Sequence, residues 1–113
     1  MICEGRVPSG GPFAHGGSAS CFLGVELAAQ AAAAFEAVRS SADGGLPRIG
    51  YLASIRDARF EVPSLPAGPL LLTRVRRQGG VAPLSLYSAE VTLAEDGKPL
   101  CTATFSTYSL RPE

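Results

Sequence analysis

Two polar residues four positions apart in an apolar segment are the first candidates for chemistry. Glu26 and Gln30 are the only polar side chains between Cys21 and Phe35. Residues at this spacing share one face of a helix, and a carboxyl group on an apolar surface is costly unless it is paired or hydrogen-bonded. Two interpretations follow. Either this face reaches solvent or a dimer partner, with Gln30 satisfying Glu26, or Glu26 lies in an apolar cleft as an acid–base group.

His15 is the single histidine of the chain and stands in a glycine-rich loop just before this segment. The free N–H groups at a helix start can hold a carbonyl oxygen as negative charge develops on it. A histidine loop, a helix start and a carboxylate one or two turns into the helix are together suited to an elimination beside a carbonyl. The alternative for a lone loop histidine is an exposed and inert side chain.

One helix and a set of strands must position these residues. Residues 20–40 are rich in alanine and lack proline, which predicts a helix. Its apolar side chains lie on every side, which predicts burial nearly all round. Short apolar or alternating segments predict a strand near the N-terminus, within residues 1–7, and four later strands over residues 48–62, 70–77, 83–93 and 98–110. Loops are expected at 8–18 and, rich in proline, at 63–69. We expect one α+β domain over residues 1–113, with an antiparallel meander wrapped on the helix.

Composition excludes several classes of function. Lys and Arg total 10 and Asp and Glu total 10, so the formal charge is zero and no global field attracts nucleic acid or an anionic membrane. The sequence predicts no signal peptide and no membrane-spanning segment. Three widely spaced cysteines without a CxxC pair favour a reducing, cytoplasmic location. A single histidine and no CxxC pair argue against a zinc site, and we expect no metal.

Three segments together resemble the hotdog-fold β-hydroxyacyl-(acyl carrier protein) dehydratases, nearest the small diverged members of aryl-polyene-type pathways. GVELAAQAAA at 24–33 is similar to the family's helix motif EAMAQA, with Glu26 and Gln30 on its Glu and Gln. Residues 51–77 resemble the family's strand pattern F-x-x-I-x-x-A-R-F followed by P-x-x-P-G. Residues 89–106 are similar to its last hairpin, in which an acidic-Gly turn precedes C-x-A-x-F/M. The likeness covers about residues 7–109 and is carried by the order of the three segments.

The resemblance implies a fold, a reaction and a set of roles. In the hotdog fold an antiparallel sheet wraps around one long central helix, and the active site lies at a dimer interface. His15 would remove the α-proton of a 3-hydroxyacyl thioester, and Glu26, braced by Gln30, would protonate the leaving hydroxyl or orient the water. Backbone N–H groups near Cys21 and Phe22 would bind the thioester carbonyl. The product would be a 2-enoyl thioester, made in fatty acid or polyene-type biosynthesis, and no metal or organic cofactor would be needed.

The resemblance also implies partners and leaves alternatives open. The substrate would be carried on an acyl carrier protein or coenzyme A. The basic residues Arg74, Arg76 and Arg77 would then be either a docking patch for that carrier or a solvated strand face. We expect a homodimer, with a heterodimer with another hotdog protein as the alternative. By the resemblance, we expect a form of the domain without the helix and strand that family members usually carry ahead of the segment matching Ile2.

The sequence differs from the family's pattern at the helix start, so other functions stay open. Ser20 and Cys21 replace the Pro-Gly that precedes the family's helix, and His15 stands closer to Phe13 than the family's histidine does. His15 is therefore either the catalytic histidine or its neighbour. Cys21 is a small core residue or, less often, a nucleophile at a helix start. Thioester hydrolysis with Glu26 activating water is one alternative function. A non-catalytic hotdog subunit that binds acyl chains or a partner is another.

Overall fold

The computed structural model describes residues 1–7, 14–15, 18–42, 49–81 and 83–110. One α-helix, α1, extends over Leu23–Ala42. Eight strands accompany it: β1 (Ile2–Gly5), β2 (Ala14–His15), β3 (Ser18–Ser20), β4 (Ile49–Phe60), β5 (Ser64–Pro66), β6 (Leu71–Gly79), β7 (Leu84–Leu93) and β8 (Pro99–Leu110). Within the described residues, no helix has the length and apolar character needed to cross a membrane.

The strands form two antiparallel sheets on which α1 is placed. The larger sheet has the order β1-β6-β7-β8-β4, and the smaller has the order β2-β3-β5. α1 packs against β6, β7 and β8, the central strands of the larger sheet. The predicted α+β class and the sheet wrapped on one helix are confirmed.

The core divides into two clusters along the helix. Beneath the helix start lie Val7, Ala19, Leu65, Leu71, Val91, Leu100 and Cys101. Farther along lie Ala28, Ala31, Ala32, Val75, Tyr87, Ala89, Ala103 and Phe105. The small alanines of α1 let the helix approach the sheet closely, so that the large aromatic side chains come from the strands. On β8, residues 101, 103 and 105 are buried and their neighbours point outward, as the alternation predicted.

A buried tyrosine ties the far end of the helix to the sheet. The hydroxyl of Tyr87 on β7 donates a hydrogen bond to Oε1 of Glu36 on α1. Its ring stacks on Phe105 at 5.8 Å and meets Phe35 edge to face at 6.1 Å. Burial, and then the Glu36 carboxylate, raise the pKa of Tyr87 above its ordinary range. This contact fixes α1 about two to three turns beyond Glu26.

The helix differs from its prediction, because it is not buried all round. Glu26, Gln30, Ala33, Ala34, Ala37 and Val38 are exposed. In the described chain, the sheet covers one face of α1 and no second layer covers the other. The apolar residues all round the helix therefore reflect one buried face and one apolar face that is open in the single chain.

Two further predictions about the strands are wrong. A simple meander places the strand after the helix beside β6, yet β4 pairs with β8, and the partner of β6 on that side is β1. The loop expected at 8–18 contains β2 and the first residue of β3, and the loop expected at 63–69 contains β5. β3 and β5 pair with each other through Ser20↔Ser64 and Ser18↔Pro66. The proline-rich segment forms a strand because its pairing partner is distant in sequence and satisfies its backbone. Residues 8–13 and 16–17 of the first predicted loop lie outside the described residues.

Candidate functional site

An open, largely apolar groove of about 680 Å³ runs along the exposed side of the first turns of α1. The helix supplies one wall, and the end of β1 with the residues that follow supplies the other. It is lined by Arg6, Val7, Ser20, Phe22, Leu23, Glu26, Leu27 and Gln30. The groove therefore combines an apolar floor with a few polar groups, which is the usual composition of a small-molecule site.

Glu26 and Gln30 lie together on the helix face that opens into this groove. Both are exposed in the single chain, one turn apart on α1. Leu23 and Leu27, half-buried on the same side, place apolar surface between the two polar groups and the sheet. The sequence predicted this juxtaposition from the spacing of Glu26 and Gln30, and the structure shows a cleft in front of them.

The turn before the helix holds the two predicted donors, Cys21 and Phe22. Gly24 N–H donates to the Cys21 carbonyl at 3.0 Å and Val25 N–H donates to the Phe22 carbonyl at 3.0 Å. The Phe22 N–H itself donates to Oγ of Ser20 at 3.3 Å, which makes Ser20 a capping residue of α1. To receive a thioester carbonyl, the Phe22 amide must exchange this weak bond for one to the substrate.

The side chain of Phe22 stands at the mouth of the groove. It is 69% exposed, an unusual state for a phenylalanine, and its ring packs edge to face on Phe60 of β4 at 5.2 Å. Phe60 ends the outermost strand of the large sheet. The ring of Phe22 therefore connects the mouth of the groove to the end of β4.

The backbone brings His15 toward the helix start. His15 ends β2, and its Cα partner is Ser18 of β3, the strand that leads through Ser20 into the turn before α1. The structure describes the backbone of His15 but not its side chain, so the role of the imidazole as the base stays a prediction.

The three arginines of β6 are divided between the two faces of the sheet. Arg74 and Arg76 point outward and are exposed, whereas Arg77 is half-buried on the helix side, where its NH2 donates to the Gly80 carbonyl at 3.5 Å. All three nevertheless line a second groove, of about 450 Å³, beside Met1, Ile2 and Phe35. The docking role of this strand stays a prediction.

Arg6 belongs to the Glu26 groove and was missed by the sequence reasoning. Its NH1 donates to the Gly68 carbonyl at 2.7 Å, while Gly68 N–H donates to the Val7 carbonyl at 2.9 Å. Arg6 precedes the helix by 17 positions and belongs to no motif. Only the pairing of β1 with β6 brings it opposite α1, so the sequence carried no local signal for it.

The cysteines divide between the core and the helix start. Cys101 is buried beneath the first turn of α1, and burial, with a smaller effect of the nearby Cys21 thiol, raises its pKa to about 11. This pKa argues against a thiolate at Cys101 near neutral pH. Among the residues that the structure describes, no group of three or more His, Cys, Asp or Glu side chains is arranged to hold a metal ion.

Comparison with known proteins identifies the family. A family model described as ApeP dehydratase matches residues 1–113, the whole chain. The chain belongs to this ApeP-like family. The predicted hotdog dehydratase family and the predicted class of activity, a hydro-lyase, are thereby confirmed. A comparison with curated proteins gives no significant match.

Solved structures similar to this ApeP-like chain share its hotdog fold. The dehydratase heterocomplex ApeI:P from Xenorhabdus doucetiae aligns with a TM-score of 0.85 and 21% identity over 99% of this chain and 74% of that one. Slr0204, a 1,4-dihydroxy-2-naphthoyl-CoA thioesterase from Synechocystis, gives 0.74 and 14% over 100% and 83%. A probable thioesterase from Bartonella henselae gives 0.72 and 14% over 98% and 90%. At these identities the structural likeness shows the fold, and the family model carries the activity.

Proposed function

We propose that the chain dehydrates a 3-hydroxyacyl thioester to the 2-enoyl thioester in fatty acid or polyene-type biosynthesis. The observation that carries this proposal is the position of Glu26 and Gln30 in an apolar groove that begins at the capped helix start. An elimination needs a group that polarises the thioester carbonyl, a base for the α-proton and an acid for the leaving hydroxyl. The groove presents candidates for the first and the third within its own walls.

The proposed reaction follows from these positions. The N–H groups at Cys21 and Phe22 hold the thioester oxygen as charge develops on it, and His15 removes the α-proton. The electron pair of the α-carbon then forms the 2,3-double bond while the bond from carbon 3 to its hydroxyl breaks. Glu26 protonates the departing hydroxyl, so that water leaves. Gln30, one turn farther along α1, orients the Glu26 carboxyl group.

We propose that a second hotdog subunit completes the site. The outer edge of β4 has no strand partner within the described chain, and an unpaired edge presents free backbone donors and acceptors. Ile55 on this strand is 48% exposed, and Phe60 at its end leads to Phe22 and the groove. A subunit paired along β4 would cover these side chains and close the groove against water. Either a homodimer or a heterodimer meets this need, and the similar Xenorhabdus doucetiae structure is a dehydratase heterocomplex.

The remaining parts of the proposal concern the carrier of the substrate, the cofactor requirement and the cellular location. Arg74 and Arg76 give the outer face of β6 a positive charge, which suits an acidic carrier protein or the phosphates of coenzyme A. We treat residues 1–113 as one hotdog domain that needs neither a metal nor an organic cofactor. The cysteines Cys3, Cys21 and Cys101 are free thiols, which favours the cytoplasm.

Mass spectrometry of 3-hydroxyacyl-carrier protein incubated with the purified chain tests the proposal. We expect the acyl group to lose one water while the thioester stays intact. A parallel measurement of free thiol separates this reaction from hydrolysis, because dehydration releases none. Thiol release without a 2-enoyl product would overturn the dehydration and establish a thioesterase instead.

A further inference from the structure

Arg6 brings a positive charge to the groove at a fixed position. One hydrogen bond joins its NH1 to the Gly68 carbonyl at 2.7 Å, and a second joins Gly68 N–H to the Val7 carbonyl at 2.9 Å. Gly68 has φ +104°, a conformation that favours glycine, so this two-bond clasp depends on the residue type. Arg6 is therefore held against the turn after β5 and does not sample solvent freely.

Among the residues that the structure describes, one hydrogen bond engages the guanidinium group of Arg6. A guanidinium group has five N–H donors, and the bond to Gly68 uses one of them. The side chain is exposed at the rim of the groove, and its guanidinium group carries a positive charge. Its planar fork matches a phosphate or carboxylate, and such charge-assisted hydrogen bonds are stronger than neutral ones.

A substrate arm with its thioester at the helix start has to run along the groove to reach Arg6. Ser64 of β5 pairs with Ser20 beside the helix start, and Gly68 lies four residues farther along the chain. At the rise of a strand, this separation amounts to at most about 13 Å. A 3-hydroxyacyl group is itself uncharged, and the anion nearest its thioester is the phosphate at the other end of the pantetheine arm.

We propose that Arg6 binds the phosphate of a phosphopantetheine arm, the group shared by an acyl carrier protein and coenzyme A. This inference rests on the proposed function, because it places the thioester at Cys21 and Phe22. The arm enters the groove over the clasp of Arg6 and Gly68 and runs toward the helix start. Arg6 thus selects thioesters on a phosphorylated arm and sets their direction in the groove. Arg74, which lies opposite Ile2 at the other end of β1, and Arg76, two residues farther along β6, are left to contact the carrier itself.

Binding of two saturated ligands tests this inference without any turnover. Hexanoyl-pantetheine and hexanoyl-4′-phosphopantetheine differ by one phosphate, and neither can lose water. By isothermal titration calorimetry we expect the purified full chain to bind the phosphorylated ligand about five- to tenfold more tightly. Arg6→Gln should bring this ratio close to one. Arg39→Gln is the matched control, since it removes an exposed arginine in the last turn of α1, outside the groove, and it should keep the ratio of the wild type.

Two further measurements guard against indirect effects. Arg6→Lys keeps the charge without the fork and should retain more of the preference than Arg6→Gln, with folding of both variants checked by circular dichroism. Hexanoyl-CoA and hexanoyl-carrier protein should each lose affinity in Arg6→Gln by the same factor as the phosphopantetheine ligand. A loss confined to hexanoyl-CoA would place Arg6 at the nucleotide and overturn the proposal.

The binding experiment on Arg6 and the dehydration assay can fail independently of each other. Equal binding of the two small ligands by the wild type, or an unchanged preference in Arg6→Gln, would overturn the role of Arg6 whatever the chain does to a 3-hydroxyacyl substrate. A preference that depends on Arg6, found in a chain that does not dehydrate, would support the phosphate contact and refute the proposed function.

Discussion

Gly24, in the first turn of α1, lies directly over the thiol of Cys101 on β8. A Cβ atom at position 24 would stand 2.5 Å from Cys101 Sγ, a distance that real Cβ atoms do not adopt. The absence of a side chain at Gly24 therefore lets the helix start settle onto the central strands of the sheet. Glu26 follows two residues later, so this contact sets the depth at which the candidate catalytic helix face stands above the core.

Gly24→Ala should destabilise the fold by about 1–2 kcal/mol, because overpacking costs about 1–3 kcal/mol and the higher helix propensity of alanine returns up to about 1. The matched background is Cys101→Ala, which removes Sγ and leaves the new methyl group 3.7 Å from the Cβ of residue 101. In that background Gly24→Ala should be neutral or stabilising. Urea denaturation of the wild type, the two single variants and the double variant gives the coupling free energy between positions 24 and 101. An equal cost in both backgrounds would contradict the contact.

Ser20→Ala should remove the cap of α1 and lower the free energy of unfolding by about 0.5–2 kcal/mol. It also frees the Phe22 N–H from its 3.3 Å bond to Ser20 Oγ. If that amide binds the thioester carbonyl, kcat per folded molecule should be retained or rise. The control is Ser54→Ala, which removes an exposed hydrogen bond between Oγ of Ser54 and Oγ of Ser106, 2.7 Å apart. A kcat that falls in Ser20→Ala alone would mean that the hydroxyl itself serves the reaction.

Cys101 should make stability fall at alkaline pH. Burial raises its pKa in the folded chain from the ordinary 9.0 to about 11, so the unfolded chain loses the thiol proton first. The contribution of this group is complete below about pH 9 and is lost as the pH rises to about 11, with a total of about 2–3 kcal/mol. Cys101→Ala should show a shallower decline over this window in denaturation curves. Parallel declines for the two proteins would contradict the burial effect.

Ile55→Lys should weaken association of the chain with a hotdog partner by at least about tenfold, because it puts a charge on the free β4 edge. Analytical ultracentrifugation measures the change. Val38→Lys is the control, since Val38 is also exposed, at 58%, but lies near the end of α1. The proposed β4 interface would be wrong if both variants associate as the wild type does, or if Val38→Lys is the more disruptive.

Local patterns predicted much of the fold. The alternation of Cys101, Ala103 and Phe105 with polar neighbours reproduces the two faces of β8, because a strand has a period of two residues. The acidic turn ending in Gly97 also forms, with φ +74° at the glycine. The helix was placed within about three residues at each end, which is the usual uncertainty where caps decide the boundary.

The errors arose where distant pairing decides the structure. Ser64–Pro66 is a strand because Ser18–Ser20 lies beside it. The surrounding segment, with three prolines over residues 63–69, gives no local sign of that partner. β4 lies beside β8 for the same kind of reason, as the choice between sheet edges is made by the whole topology.

In the candidate site too, residues placed by local spacing were predicted and residues placed by the tertiary fold were not. Glu26 and Gln30 were predicted because both lie on one helix and their spacing alone puts them on a common face. Arg6 was missed because the chain must fold before it faces α1, where the Gly68 clasp then fixes it. The three arginines of β6 were grouped by sequence, but the pleat of the strand sends Arg77 to the opposite face from Arg74 and Arg76.

The rate at which Glu26→Gln converts 3-hydroxyacyl-carrier protein to the 2-enoyl product tests the central claim most directly. Removing a general acid should lower kcat by about 10²- to 10⁴-fold while the circular dichroism spectrum is unchanged. Glu95→Gln, an exposed carboxylate in the turn between β7 and β8, should leave kcat within about twofold of the wild type. A folded Glu26→Gln variant that keeps the rate of the wild type would contradict the assignment of Glu26 as the acid of a dehydratase.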